Sequence, residues 1–172
     1  MAALFFTNGA LYANVVPRYP EIKAGLELSG AAFGSAIGAY GLGALLVGLS
    51  GGALVARWGS AVVAPASTLV IAANLVLVGA APAWLALAVA LFVAGSLDAV
   101  ADVANNAHAL RVERRYGRSI LNSLHAVWSI GAVTGAAMGS LAVGLGAPVV
   151  GHLAVVAGLL AVVPLTVRRL LL

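Results

Sequence analysis

The stretch WLALAVALFVAGSLDAVADVANNAHALRVERRYGR, residues 84–118, decides the fold. It opens on a tryptophan, runs through apolar side chains without a charge as far as Asp98, and closes on a cluster of arginines. About 20 apolar residues cross the hydrocarbon core of a bilayer; aromatic rings settle at its edges and arginines collect beyond it. The apolar part predicts a membrane-spanning helix over 84–107, and residues 108–118 read as a basic connection.

The same pattern recurs outward from this helix. Further spans are predicted at 2–17, 29–50, 61–80, 119–142 and 147–167, joined by RYPEIKAGLEL, a turn around GGALVARWG, a tight hairpin at AAPAW and a short GLGAP turn. A chain of 172 residues holds about six crossings at ~20 residues each plus loops of ~5 to 8. Composition agrees: hydrophobic residues make up 63% and charged residues 8% of the chain, the mean hydropathy is +1.10, and ordinary soluble domains carry about 25% charge. Nine Lys and Arg and five Asp and Glu do not cover a water-facing surface of this size, which excludes a soluble globule. Such apolar content does not stay unburied in water, which excludes disorder. The absence of cysteine removes disulfides, thiolate metal sites and Cys nucleophiles together. The fold class is therefore all-α, a polytopic membrane helix bundle forming a single domain over residues 1–172.

The net charge of +4 would suggest nucleic-acid binding in a soluble protein, but here the arginines occupy the gaps between apolar runs, so they read as topology and no nucleic-acid partner is expected. Arg57, Arg111, Arg114, Arg115, Arg118, Arg168 and Arg169 fall on one side, and Arg18 and Lys23, with Glu21 and Glu27, on the other. The positive-inside rule assigns the first side, and with it both termini, to the cytoplasm. Trp58, Trp84, Tyr19 and Tyr116 lie at predicted span ends; Trp128 and Tyr40 do not, and belong inside the bundle. From Met1 to Pro17 the first helix covers only ~25 Å, short of the ~30 Å core, and no basic anchor precedes it, so the natural start is expected upstream or lost. No cleavable signal peptide is evident.

Ionisable groups within a span are expensive and ask for a role. Asp98 and Asp102 are one helical turn apart, and Asn105 and Asn106 continue the same face. Asp98 lies ~12 Å and Asp102 ~6 Å from the cytoplasmic end of the predicted span, and His125 on the next helix reaches a similar depth. Two carboxylates in low dielectric beside an imidazole form a protonatable cluster, the usual means of coupling transport to a proton gradient. The structural alternative makes them packing glue: Asp102 capping or pairing with Arg111 or Arg114, and His125 bonding a carbonyl across helices. Asn8, Asn14, Asn74 and Asn122 suit interhelical hydrogen bonds, while His108 and His152 read as structural or solvated. Gly30, Gly34, Gly38, Gly41 and Gly48 form a small-residue packing face on the second helix, and Gly131, Gly135 and Gly139 another on the fifth. No P-loop, HExxH or dinucleotide fingerprint occurs, so neither cofactor, metal nor enzymatic role is expected.

The string GGALVARWGS, residues 51–60, resembles the loop between helices two and three of the major facilitator superfamily, whose usual pattern is G-x-x-x-D-R-x-G-R-[RK]. Gly52, Arg57 and Gly59 match; Ala56 stands where the superfamily has Asp, and Ser60 where it has Arg. The stretches NGALYANVVPRYPEIKAGLELSGAAFG (8–34) and DVANNAHALRVERRYGRSILNSLHAVWSIGAVTGAAMG (102–139) resemble a bacterial inner-membrane branch related to fucose-permease-like transporters. The resemblance implies the N-terminal six-helix half of a fold that normally has two such halves. It implies that Asp102 matches a helix-four acid associated with proton coupling, that Asn106 matches a nearby Asn, and that His125 and Trp128 face the substrate cavity. Those carriers also have an acid in helix one, where this chain offers only Asn8 and Asn14.

The expected function is secondary transport of a small polar solute, sugar-like or another metabolite, with proton coupling through Asp98, Asp102 and His125 and a cavity lined by Asn106, Trp128, Asn8 and Asn14. The expected partners are the lipid bilayer, the solute, and either a second copy or a separately encoded second half. The alternative is a non-transporting scaffold or regulatory half-protein, or an inactive fragment.

Overall fold

The computed structural model of the chain describes residues 1–171, and all its regular elements are helical. In chain order these are α1 (Ala2–Val15), a 3-10 turn (Val16–Arg18), α2 (Tyr19–Gly25), α3 (Gly30–Gly48), α4 (Gly51–Trp58), α5 (Ser60–Gly79), α6 (Trp84–Tyr116), α7 (Leu121–Gly144) and α8 (Val149–Val167). The helices α3, α5, α6, α7 and α8 are long and apolar enough to cross a membrane. The sixth rod is α1, 14 residues long, which runs on into the 3-10 turn where Pro17 removes a backbone donor and tightens the winding.

Four expectations are corrected. The helix over 84–107 continues to Tyr116, so residues 108–116 are helical and not a loop. Tertiary contacts carry it on: His108 is buried with Nδ1 3.1 Å from the Ser60 hydroxyl, and Ala109 packs with Phe5 and Leu124. At 33 residues the helix is about 50 Å long, well beyond the ~30 Å hydrocarbon core, and ends where Gly117 adopts the left-handed conformation, φ 69°. Glu113 then accepts hydrogen bonds from the Ser119 hydroxyl at 2.8 Å and the Leu121 amide at 3.0 Å, and another from the Ile120 amide. A carboxylate there satisfies the free N–H groups that begin α7. The expected turn at GGALVARWG is the amphipathic helix α4, closed by Gly59 at φ 80°. The first connection contains α2. Finally, Arg18, expected as a loop charge, is fully buried, paired with Glu21 at 2.9 Å and donating to the Ala147 carbonyl.

The helices pair through small residues. α3 lies along α6, α1 along α7, and α5 packs against both α6 and α8. In the α1–α7 seam a methyl group added at Gly131, Gly135 or Gly139 would collide with the carbonyl oxygens of Phe6, Ala10 and Asn14 respectively. In the α3–α6 seam one added at Gly95 would collide with the Tyr40 carbonyl, and one at Gly43 with that of Phe92. Without a hydrophobic force between helices in lipid, such close backbone approach is a main source of association. On α3, a methyl group added at Gly48 would meet Ala99, whereas one added at Gly30, Gly34, Gly38 or Gly41 would meet nothing within 4 Å.

Candidate functional site

The two glycine seams set the site. Because Gly9 and Gly131 bring α1 and α7 into backbone contact, Asn8 of α1 comes level with His125 and Trp128 of α7. Because Gly95 lets α3 lie against α6 at Tyr40, the Tyr40 side chain reaches Asp98, almost one turn further along α6. The result is a groove of about 220 Å³ lined by Asn8, Asp98, Asp102, His125 and Trp128.

Within it, Asp98 accepts two hydrogen bonds. The Tyr40 hydroxyl donates to Oδ2 at 2.8 Å, and the Asn8 Nδ2 donates to Oδ1 at 3.2 Å. Both donors are neutral, so the carboxylate is oriented and partly satisfied without neutralisation by them. Asp102, one turn away, is exposed to the groove. The His125 Nδ1 lies 3.0 Å from the Leu121 carbonyl of its own helix, which corrects the expected bond across helices. A carbonyl only accepts, so Nδ1 carries the hydrogen and Nε2 is left with its lone pair free to accept. The imidazole is held edge-on by Phe5, ring centres 5.4 Å apart.

The remaining expected residues fall elsewhere. Asn14 is buried and donates at 2.7 Å to the Ala10 carbonyl of its own helix, and neither it nor Asn106 lines the groove. Asn14, six residues from Asn8, is rotated to another side of α1. Asn74 does bond across helices, donating to the Ala90 carbonyl at 2.9 Å. Of the loop motif, Gly52 has no close neighbour, Gly59 supplies the positive φ, and the exposed Arg57 lies over the Trp58 ring at 5.7 Å. The partner missed in the sequence is Tyr40. Its signal was present: a phenol away from both ends of a span needs a hydrogen-bond acceptor inside the bundle.

The chain is 36% identical over 157 residues to an uncharacterized transporter of Sinorhizobium fredii (strain NBRC 101917 / NGR234), an alignment covering 91% of this chain and 42% of that protein. It is 31% identical over 132 residues to an uncharacterized MFS-type transporter of Yersinia pestis, covering 77% of this chain and 34% of the relative. The chain belongs to the major facilitator superfamily. It spans less than half the length of these curated relatives, as one half of such a transporter does. No family model and no solved structure matches it. As an MFS chain it is a multi-pass membrane protein, and its lipid-facing helices account for the exposed leucines and valines on α3, α7 and α8.

Proposed function

We propose that this MFS half carries out secondary transport of a small polar solute, with proton coupling through Asp98, in a bacterial cytoplasmic membrane with both termini on the cytoplasmic side. The supporting observation is a carboxylate well inside a membrane span, held by Tyr40 and Asn8 and sharing one groove with Asp102 and His125. A group so placed changes charge by gaining a proton, and the groups beside it supply a solute with hydrogen bonds: Asp102 and the His125 Nε2 accept, and the Trp128 indole donates and stacks. The polar character of the solute follows from that lining.

Binding sites in this architecture lie between the two halves. A second half seated over the groove would close it, and the uncovered glycines of α3 would give it a smooth face to pack on. The partner is either a separately encoded half or a second copy, which a two-fold axis along the membrane normal permits. The expected result for Asp98→Asn is loss of pH-dependent uptake in proteoliposomes with normal membrane insertion; unchanged uptake would sink the role of Asp98. The mass of the purified chain in a lipid disc tests the assembly: a dimer or a complex with a second six-helix chain supports a working carrier, and a strict monomer overturns it.

A further inference from the structure

A second, narrower cavity of about 20 Å³ also touches Asp98, and its polar lining comes from Tyr12, Tyr40 and Asn74. That volume holds one water, which needs about 10 to 15 Å³ and two to four polar partners. The rings of Tyr12 and Tyr40 pack at 4.9 Å between centres, and Tyr19 opens α2 seven residues beyond Tyr12 along the chain. The phenols form a descending series. Tyr19 stands at the end of the bundle opposite the arginine cluster, Tyr12 about 10 Å further in along α1, Tyr40 about 15 Å in along α3, and Asp98 about 21 Å in from Trp84 along α6, at 1.5 Å per residue. Trp84 marks that same end, since its indole donates to the Ala32 carbonyl near the start of α3 at 2.7 Å.

We propose that Tyr19, Tyr12, Tyr40 and one water in this cavity form a proton path from the Tyr19 end of the bundle to Asp98, separate from the open groove; this rests on the reading of Asp98 as a protonatable group. Each oxygen takes a proton on a lone pair from the side of entry and passes its own O–H proton onward, so every O–H bond broken is matched by one formed. The last transfer converts the Asp98 carboxylate to the acid, and the hydroxyls then rotate back. Asp98 faces Tyr40 from α3, Asn8 and Tyr12 from α1, Asn74 from α5, Asp102 on its own helix and His125 of α7 across the groove. The groove therefore offers a second route, through Asp102 and His125, from the arginine-rich end.

The test uses the full chain in proteoliposomes, with no solute. An external pH jump is followed by the infrared carbonyl band of protonated Asp98, identified by its loss in Asp98→Asn. Chains inserted in both orientations give two kinetic phases, one for each route. Tyr12→Phe keeps the ring and removes the relay hydroxyl, so the band should keep its amplitude while one phase slows by roughly a hundredfold, the lower end of what a placed proton-transfer group contributes, and the other phase is unchanged. Tyr19→Phe should slow the same phase. Two unaltered phases in both variants would overturn the path and leave the protonation of Asp98 standing. A wild-type chain with no Asp98 band at any pH would overturn both.

Discussion

Two glycine faces that look alike in the sequence do opposite things in the molecule. On α7, Gly131, Gly135 and Gly139 are filled by the α1 backbone, each sitting against a carbonyl oxygen. On α3, Gly30, Gly34, Gly38 and Gly41 meet nothing within 4 Å. Both read as helix-packing faces, because small residues at one-turn spacing permit close approach wherever a neighbour exists. What differs is the neighbour, and its presence depends on the path of the whole chain. The filled face builds the site by setting α1 beside α7; the open one is available to a partner outside this chain.

The comparison can be broken most directly at Gly135. Gly135→Leu forces a side chain into the Ala10 backbone and is expected to destabilise the bundle by on the order of 3 kcal/mol or more, read as a lower unfolding midpoint in detergent. Tyr40→Phe tests the site that the α3–α6 seam produces. Loss of a hydrogen bond to a charged group should cost about 1.5 to 3 kcal/mol if Asp98 is ionised, less as the pH falls and the acid forms, so a cost that does not vary with pH would place the Asp98 proton elsewhere. The smallest effect is expected on the open face, and with the opposite sign. Gly38→Ala meets no neighbour and should stabilise the isolated chain by about 0.5 to 1 kcal/mol through helix propensity, whereas Gly34→Leu with Gly38→Leu should leave folding intact and change the oligomer profile. If Gly38→Leu cost the isolated bundle as much as Gly135→Leu, the two faces would not differ as described.

The candidate site was legible where a single helix carries the information. Asp98 and Asp102 share a face because of the helical repeat, counting residues along the span puts His125 at a matching depth, and Trp128 comes from the resemblance alone. Tyr40 escaped because its relation to Asp98 crosses between helices and depends on Gly95 allowing contact at one register. Type and resemblance point Asn14 and Asn106 to the cavity, yet neither lines the groove, and for Asn14 the reason is the rotation of α1 away from Asn8.

The sequence by itself determined that the chain is a membrane bundle of apolar helices with arginines gathered at one end, because the energy of placing apolar or charged groups in hydrocarbon depends on composition and span length alone. It also determined which helices carry ionisable groups within the span. Only the tertiary structure decided that α6 runs on to Tyr116, that Arg18 is buried, that Asp98 is held by Tyr40 and Asn8, and which glycine face is filled. These depend on contacts between residues far apart in the chain, and no local period or propensity encodes the register at which two helices meet.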